Sequence, residues 1–340
     1  MRILIATGIF PPDIGGPAKY AQNLADEFSR RGHTVRVLSF SAFKKWPSGI
    51  RHGMYGIAVW KGLGLMDTVF ALDTFSAGFP ALCAAKLRGK KYAVRIGGDF
   101  LWETYTHRTG VTISLLEFYE RMPLLSLRER FSFFAMRTLA RRADALVFNT
   151  AWQKNIFCKA YTVSACKTFV VENLYPPKAA VTVSHGTKPS GKKVFLWAGR
   201  PARWKNIDAL KRAFAQASRA NPDIVLEMVS DASHHELEEK FKTCWAIILP
   251  SLTEIGSNTI LEALAFNVPF ILTRETGLAD RLADVGLLVD PKNEEDMADK
   301  ILFLADPAQR EAYVRKATNF RFTHSWEEIA KEFESIFSRI

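Results

Sequence analysis

The sequence predicts an α/β protein of two domains, each built on a parallel β-sheet that is covered by helices. Its 340 residues suffice for two domains of ordinary size, and its 48% hydrophobic residues supply their cores. Short apolar runs alternate with amphipathic helical stretches through the whole chain, which is typical of parallel sheets with helices on both faces. We therefore expect an N-terminal domain at 1–175, a linker rich in Pro, Ser, Gly and Lys at 176–193, and a second domain at 194–325.

The first domain begins with a strand at 2–7, a loop that ends in Gly15 and Gly16, a helix, and a second strand at 34–40. A turn of this kind directs backbone N–H groups toward one spot and favours an anion, although the glycines lack the spacing of the dinucleotide fingerprint. The alternative is that the two glycines only form a tight turn. The further strands expected in this domain lie at 57–60, 68–73, 92–96, 145–148 and 168–171.

The second domain contains the stretch around which the chain is organised. A strand at 246–249 is followed by a polar loop with Glu254 and by a helix that begins near Asn258 and carries Glu262. The N–H groups at about 257–260 and the positive end of the helix dipole form an anion site. Carboxylates on either side of a bound phosphate suit the sugar and ribose hydroxyls of a nucleoside diphosphate sugar. The alternative is a helix N-terminus whose acidic residues interact with its dipole.

This stretch resembles the Glu-x7-Glu signature of the retaining glycosyltransferases of family 4. The matching residues are Pro250, Ser251, Glu254, Glu262, Ala263, Leu264, Ala265 and Pro269. The resemblance implies a GT-B fold, in which two Rossmann-like domains face a cleft and a last helix, here 326–340, packs back on the first domain. It also implies a hexosyltransferase that moves a sugar from a nucleoside diphosphate sugar to a glycan or lipid-linked acceptor with retention of configuration.

The resemblance further implies which residues bind the donor. The family has Gly-Arg after a strand and a lysine at the start of the next helix, matched here by Arg200 and Lys205. Two cations at this point suit a diphosphate whose charge grows as the bond to the sugar breaks, and no metal or other cofactor is then needed. The alternative is a pair of solvated charges. Glu254 is expected to contact the donor sugar and Glu262 the ribose. The implied donor-binding residues are Gly15, Gly16, Arg200, Lys205, Glu254, Asn258, Thr259 and Glu262.

The loop at 97–105 follows the carboxyl end of a strand, where open α/β sheets place their ligands. Many family 4 enzymes have a histidine here, whereas this loop resembles a sub-group with Gly-Asp-aromatic-x-Trp-Glu. Asp99 and Glu103 are therefore expected to contact the acceptor or to act as a base, and Trp102 to stack on a sugar. The alternative is a capped loop whose Trp lies in the core. The expected catalytic residues are Glu254, Asp99, Arg200 and Lys205.

The sequence departs from the family pattern after the strand at 224–229, because the next apolar run follows almost at once. We therefore expect the second sheet to be shorter by about one strand. His234 and His235 lie in this interval, but adjacent residues on a helix point apart, so no metal site is expected. The four cysteines show neither metal-site nor disulfide spacing and fit a reducing cytosol.

The excess of positive charge is confined to the first half of the chain. Residues 1–175 contain 24 Lys and Arg against 12 Asp and Glu, whereas residues 176–340 contain 22 against 23. Such a basic half indicates an anionic partner. The stretch 112–142 is expected to be helical, with arginines between apolar residues such as Phe133, and to dock on anionic lipid. The alternative is a helix pair that covers the sheet with its arginines in water.

No apolar run long enough to span a membrane and no signal peptide is apparent, since the residues from Met1 read directly as a strand. We expect a cytoplasmic protein that is peripheral on the inner face of the cytoplasmic membrane. Two other function classes stay open: a non-catalytic nucleotide-sugar-binding or scaffold protein, and a nucleotide-sugar epimerase of related fold. No nucleic-acid motif accompanies the basic residues, so no nucleic-acid partner is expected.

Overall fold

The computed structural model describes residues 1–179, 191–230 and 232–340. These residues form two compact units. The first unit comprises Met1–Thr104, Met122–Asn173 and His324–Ile340, and the second comprises Tyr105–Arg121 and Leu174–Thr323. The linker predicted at 176–193 lies in part outside the described residues, and its described residues belong to the second unit. Within the three described ranges, no helix is long and apolar enough to cross a bilayer.

The segment Tyr105–Arg121, which the sequence places in the first domain, belongs instead to the second unit. The backbone N–H of Leu115 donates to Oγ1 of Thr253 at 2.9 Å, and the carboxylate of Glu117 pairs with the ammonium group of Lys292. These contacts join positions that are 138 and 175 residues apart. A local sequence pattern does not indicate pairings at such separations, so the expected domain boundary misses this segment.

The first unit contains a parallel sheet of six strands. They are β1 (Arg2–Thr7), β2 (Thr34–Ser39), β3 (Thr68–Ala71), β4 (Lys91–Ile96), β5 (Ala145–Phe148) and β6 (Thr168–Val170). Their order across the sheet is β2-β1-β3-β4-β5-β6, and every neighbouring pair is parallel. Most residues of the inner strands are buried on both faces, which is why these strands read as continuous apolar runs.

Helices connect these strands and cover both faces of the sheet. They are α1 (Gly16–Arg30), α2 (Ile50–Gly62), α3 (Gly78–Leu87), α4 (Phe100–Thr109), α6 (Leu127–Arg142) and α7 (Ala151–Tyr161). Helix α5 (Leu115–Arg121) lies between α4 and α6 in the chain and belongs to the second unit, as do the residues of α4 from Tyr105 onward. The chain moves through α1 in one direction along the sheet and returns through α2 in the other, so right-handed crossovers place α1 and α2 on opposite faces. On the α2 face, α3 packs against both α2 and α6.

The strand expected at 57–60 is wrong, because these residues lie in α2. The β-branched and aromatic residues of this run favour a strand locally. The buried positions of the helix are Tyr55, Val59 and Gly62, which recur at helical and not at strand spacing. A Cβ atom added at Gly62 would lie 3.2 Å from Cδ1 of Leu4. Burial of one helical face on the sheet therefore outweighs the local strand propensity, and the residues form a helix.

The second unit contains a parallel sheet of five strands, one fewer than the first, which confirms the expected shortening. The strands are β7 (Lys193–Ala198), β8 (Ile224–Val229), β9 (Ala246–Leu249), β10 (Phe270–Thr273) and β11 (Leu287–Val289), in the order β11-β10-β9-β7-β8. The remaining helices are α8 (Ile207–Ala220), α9 (His234–Thr243), α10 (Asn258–Ala265), α11 (Ala279–Leu282), α12 (Glu294–Ala305), α13 (Pro307–Asn319) and α14 (Trp326–Arg339).

The last of these helices, α14, belongs to the first unit. Its Phe333 and Phe337 lie 4.6 Å and 5.2 Å, between ring centroids, from Phe70 of β3. At its start Trp326 lies edge-on to Tyr20 of α1, with 5.0 Å between the ring centroids. Burial of this aromatic stripe explains why the chain returns to the first sheet after it has completed the second.

Candidate functional site

Two loops of the second unit meet at the carboxyl edge of its sheet. Strands β7 and β9 are neighbours, with Phe195 opposite Ala246. The loop 199–206 follows β7 and the loop 250–257 follows β9. Because the carboxyl ends of adjacent parallel strands lie at the same edge, side chains of these two loops converge where open α/β sheets bind ligands.

Lys205 and Glu254 are two predicted site residues that the structure brings into contact. Nζ of Lys205 lies 2.6 Å from Oε1 of Glu254, and Oγ of Ser251 donates to the same oxygen at 2.6 Å. The two side chains are 13% and 7% exposed, and Nζ also lies 4.3 Å from the ring centroid of Trp204. In the described part of the chain, no side chain donates to Oε2 of Glu254. This second oxygen is therefore the one that remains for a ligand.

Hydrogen bonds between the loops hold the pair in place. The N–H of Leu252 donates to the carbonyl oxygen of Trp204 at 2.8 Å. Asn206 has a left-handed backbone with φ 58°, and its Nδ2 donates to the carbonyl oxygens of Pro250 and Pro291 at 3.1 Å and 2.6 Å. The loop that carries the lysine is thus fixed to the loop that carries the carboxylate.

The backbone of Glu254 is anchored on its other side. Its N–H donates to the carbonyl oxygen of Glu275 at 2.9 Å, and its own carbonyl oxygen accepts from the N–H of Gly277 at 3.0 Å. Together with an isolated parallel bridge between Glu254 and Thr276, these bonds tie the residue to the loop after β10. A carboxylate held from both sides is preorganised, and such positioning is what catalysis by orientation requires.

Helix α10 presents an N-terminus that its own side chains leave uncapped. Ser257 occupies the N-cap position without a capping hydrogen bond from its side chain, and the first turn of this described helix holds no acidic residue. Within the described first turn, no acidic side chain of the helix therefore offsets the positive end of its dipole. Asn258 is exposed, while Thr259 and Glu262 are half-buried. Their contacts with a diphosphate and a ribose stay a prediction.

Arg200 lies in the same loop as Lys205 but does not join the ion pair. It is exposed, and within the described residues it makes no hydrogen bond or salt bridge. It follows Gly199, whose φ of +156° disfavours other residues and whose N–H donates to the carbonyl oxygen of Val229 at 3.0 Å. The guanidinium of Arg200 is therefore an exposed cation in the same loop as the ion-paired Lys205.

In the first unit, Gly15 and Gly16 form the start of α1 as predicted from the sequence. Gly15 is the N-cap residue with φ 146°, a left-handed backbone that favours glycine, and a Cβ there would lie 3.3 Å from Cδ1 of Ile9. Gly16 is the first helical residue and Pro17 follows it. This geometry requires glycine at position 15 for the turn itself, and a role in binding phosphate stays a prediction.

The loop with Asp99 and Trp102 leads into α4, and both side chains are buried. Oδ1 of Asp99 accepts a hydrogen bond from the N–H of Trp102 at 2.7 Å, so this carboxylate caps the start of α4. Asp99 is 4% exposed and Trp102 is 2% exposed. The indole of Trp102 is thus buried in the first unit, and its contact with a sugar stays a prediction. Glu103 is half-buried and its Oε1 lies 3.1 Å from where a Cβ of Gly98 would stand.

Two residues that support the site were not predicted from the sequence. Ser251 was noted only as part of the motif, yet it donates to the carboxylate of Glu254. Asn206 follows the lysine and links two loops by its side chain. An asparagine just before a helix is a signal for a left-handed residue, because Asn tolerates this backbone better than other non-glycine residues. The serine has no comparable local signal.

Comparison with known proteins gives a family match that includes the loop 250–257 but not the loop 199–206. Residues 226–320 match the model of the family described as "Glycosyl transferases group 1". A D-inositol 3-phosphate glycosyltransferase of Corynebacterium aurimucosum is 26% identical over 247 residues, which is 59% of this chain and 58% of the relative. The chain spans about half the length of the curated relatives it matches. The family match includes Glu254, Asn258, Thr259 and Glu262.

Solved structures show the same architecture over the whole chain. The sucrose-phosphate synthase of Thermosynechococcus elongatus has a TM-score of 0.73 at 15% identity and covers 99% of this chain and 98% of its own. WaaG, a glycosyltransferase involved in lipopolysaccharide biosynthesis, has a TM-score of 0.72 at 16% identity and covers 99% and 100%. At these identities the likeness concerns the fold. With its two parallel-sheet units, this chain has the GT-B fold.

Proposed function

We propose that this protein is a glycosyltransferase that moves a sugar from a nucleoside diphosphate sugar to an acceptor with retention of configuration. The observation that carries the proposal is the buried contact between Lys205 and Glu254 at the carboxyl edge of the second sheet. A cation for the diphosphate and a carboxylate for the sugar have to lie close together, because a single bond joins these two parts of the donor. The family match at 226–320 supports the same conclusion.

In the proposed complex each part of the donor has its own partner. Lys205 and the exposed Arg200 neutralise the diphosphate, and the N-terminus of α10 adds backbone N–H groups. Oε2 of Glu254 accepts a hydrogen bond from a sugar hydroxyl, while Oε1 stays bonded to Lys205 and Ser251. The carboxylate of Glu262, within the first turns of α10, binds the ribose. This assignment uses every donor residue predicted in the second unit.

The proposed reaction takes place on one face of the sugar. The bond from the anomeric carbon to the phosphate oxygen breaks, a bond to the acceptor oxygen forms on the same face, and the leaving phosphate takes the acceptor proton. A protein base is then not required, in keeping with the absence of a histidine from the loop at 97–105. Positioning and charge stabilisation supply the catalysis. Lys205 and Arg200 take the place that a metal would have.

The acceptor is proposed to be a hydroxyl group of a glycan or a lipid-linked sugar. Asp99, Trp102 and Glu103, in and after the loop that follows β4, are the residues proposed to contact the acceptor. Carboxylates bind sugar hydroxyls through charge-assisted hydrogen bonds. Replacement of Glu103 by Gln should raise the KM for the acceptor with the donor affinity unchanged.

Calorimetry with nucleoside diphosphates and their sugars tests the donor site. The double variant Arg200→Ala with Lys205→Ala should bind the nucleotide more weakly by at least about 2 kcal/mol, as expected for charge-assisted contacts. Exposed cations of α8 provide a matched control, namely Lys211→Ala with Arg219→Ala, and should leave the affinity unchanged. Unchanged affinity in the site variant would remove the assignment.

Product analysis separates the transferase from its two rivals. A non-catalytic nucleotide-sugar-binding or scaffold protein binds the donor but releases neither free nucleotide nor glycoside. An epimerase changes the sugar without an acceptor. The transferase releases a nucleoside diphosphate at a rate that rises with acceptor, and the anomeric configuration of the new glycoside reports on retention.

We further propose that the enzyme attaches to the inner face of the cytoplasmic membrane through α6 and the residues before it. Exposed apolar side chains here are Leu124, Leu127, Phe131 and Phe134, of which Leu124 is 96% exposed. Phe133 does not belong to this surface, because it stacks on Tyr161 with 5.1 Å between ring centroids. Exposed arginines stand between the apolar residues, at Arg128, Arg130 and Arg137. Apolar insertion combined with basic side chains is the chemistry of binding to an anionic lipid surface.

Vesicle co-sedimentation tests this attachment. Binding should occur with anionic lipid, decrease with added salt, and decrease when Arg128, Arg130 and Arg137 are replaced by Gln, since each basic residue adds about 1 kcal/mol near such a surface. The control replaces exposed cations of the second unit by Gln, at Lys211, Arg219 and Arg315. Equal binding to neutral vesicles, or none to either kind, would exclude the membrane surface and leave the transferase proposal intact.

A further inference from the structure

Arg95 carries a charge that the first unit does not pair. Its side chain starts on β4 and is 8% exposed. Nη2 donates to Oδ1 of Asn173 at 2.6 Å, and Cζ lies 3.8 Å from the ring centroid of Tyr20. Both partners are neutral, and no carboxylate in the described part of the chain forms an ion pair with Arg95. A buried guanidinium without a counter-ion is costly.

In the described residues, the guanidinium of Arg95 also lacks part of its hydrogen-bond acceptors. A guanidinium offers five N–H groups in a planar fork. One of them donates to Asn173, and Nε is fully buried without an acceptor among the described residues. Unsatisfied buried donors are rare in native proteins, and each calls for a partner such as a ligand.

Burial raises the pKa of Tyr20 and the charge of Glu332 adds to this, but the carboxylate of Glu332 has a different partner. Oε1 of Glu332 lies 3.5 Å from Nε2 of His324. Nδ1 of His324 lies 3.1 Å from the carbonyl oxygen of Asn173 and must donate to it, because a carbonyl only accepts. Glu332 therefore balances the histidine and not the arginine.

Gly97 leaves space next to the guanidinium of Arg95 at the carboxyl edge of the first sheet. A Cβ atom at Gly97 would lie only 2.7 Å from Nη1 of Arg95, so a side chain there would stand on the guanidinium. Gly97 follows β4 directly, which is the edge where open α/β sheets bind ligands. Its carbonyl oxygen accepts from Nδ2 of Asn149 at 3.3 Å, and Oδ1 of Asn149 is buried without a partner among the described residues.

We propose that Arg95 is the anion-binding residue of the first unit and that it binds a phosphoryl group of a substrate. The planar fork of a guanidinium matches two phosphate oxygens, and a dianion supplies both the missing charge and the missing acceptors. The binding of a phosphoryl group by Arg95 does not depend on the proposed transferase function. Only the identity of the substrate that carries this group rests on that function. That group belongs either to a phosphorylated acceptor or to the donor.

Calorimetric titration with inorganic phosphate tests the site directly. The titrations use the full chain with Arg200→Ala and Lys205→Ala, which removes the proposed phosphate partners of the second unit. Adding Arg95→Met should weaken phosphate binding about tenfold or more, as expected for a charge-assisted contact. The matched control is Arg88→Met, because Cζ of Arg88 also lies 3.8 Å over an aromatic ring, that of Trp60, but the residue is exposed.

Thermal unfolding distinguishes a ligand site from a purely structural arginine. Without phosphate, Arg95→Met should unfold at the same temperature as the parent or higher, since an unpaired buried charge is removed. With phosphate, the rise in melting temperature seen in the parent should be absent. A structural arginine would instead lower the melting temperature equally in both buffers, and that result overturns the proposal.

If Arg95→Met does not fold, a second variant tests the proposal. Gly97→Ala keeps the arginine but covers Nη1, and it should also weaken phosphate binding. Retention of the parent's phosphate affinity in either variant overturns the proposal. Titrations with glucose 6-phosphate and with a nucleoside diphosphate then identify the source of the phosphoryl group. The source is the ligand that the Arg95 variant binds more weakly than the parent does. Absence of sugar transfer would remove the proposed function but leave this phosphate titration unaffected.

Discussion

Glu334 and Arg31 are 303 residues apart in the sequence and form a two-armed ion pair. Nε of the arginine lies 2.6 Å from one carboxylate oxygen, and Nη2 lies 2.7 Å from the other. Nε2 of His33 lies 2.7 Å from the first of these oxygens. The ion-paired side chains are only 23% and 20% exposed. Arg31 directly follows α1, so the pair fixes α14 to the end of that helix.

Replacement of Glu334 by Gln should lower the free energy of unfolding of the first unit by about 1–3 kcal/mol, because a half-buried arginine loses a charged partner. Glu327→Gln is the matched control on the same helix, since its pair with Lys331 is exposed and should contribute much less to stability. Urea denaturation of the three proteins measures the difference. Equal losses in both variants would contradict the assignment.

The same variant has a pH signature. The hydrogen bonds from Arg31 hold the pKa of Glu334 below its ordinary value, partly against the effect of burial. A carboxylate of lowered pKa stabilises the fold above its unfolded pKa, and this contribution disappears as the pH falls through its folded pKa. The difference between parent and Glu334→Gln should therefore be full at neutral pH and vanish in acid. A difference that persists below the folded pKa would point to packing and not to charge.

Lys178 joins the ends of two helices in the second unit. Nζ donates to the carbonyl oxygens of Leu264 at 2.5 Å and Ala317 at 2.6 Å, near the C-termini of α10 and α13. Lys178→Met should lower the free energy of unfolding by about 2 kcal/mol, because two helix-end carbonyls lose their donor. Lys192→Met is the control, since this lysine also donates to a carbonyl oxygen but is exposed.

The pH dependence of Lys178 has the opposite sign to that of the carboxylate. Burial lowers its pKa to about 8, with a smaller effect from the charge of Arg321. Between this value and the ordinary lysine value the unfolded chain binds more protons, so the free energy of unfolding should rise with pH across this window. Denaturation at several pH values should show this rise in the parent and not in Lys178→Met. The same rise in both proteins would exclude Lys178 as its source.

Glu254 and Glu262 should affect different parameters of the enzyme. Glu254→Gln should lower turnover with little loss of affinity for the free nucleotide, because Lys205 keeps its charge and loses its internal counter-ion. Glu262→Gln should weaken the nucleotide itself, since it is proposed to hold the ribose. Calorimetry and steady-state kinetics on both variants measure the two effects. The roles would be wrong if the nucleotide affinities shifted the other way round.

The second sheet could be predicted closely from the sequence. The strands at 224–229 and 246–249 have the predicted bounds, because each is an apolar run ended by turn residues. The position of Lys205 and Glu254 at one edge of this sheet also followed from motifs. Their direct contact did not, because the distance between two loops depends on the register of β7 and β9.

Other features depend on contacts that local patterns do not contain. The apolar run within α2 locally favours a strand. The residues form a helix because Tyr55 and Val59 are buried on one helical face, which the local pattern does not indicate. The buried state of Trp102 follows from the packing of α4 and not from the composition of its loop. The charge of Arg95 lies in a strand that reads as apolar, and only the neighbours of its side chain show that it is unpaired.

The first unit is assembled from three separate stretches of the chain, and the last of them contains α14. During synthesis, the six strands of its sheet leave the ribosome long before the helix that covers Phe70. The apolar face beneath α14 therefore stays open while the whole second unit is being made and can fold. Completion of the first unit then waits for contacts of very high sequence separation, which are slow to form. A nascent chain stopped before α14 should be recognised by chaperones that bind exposed apolar surface.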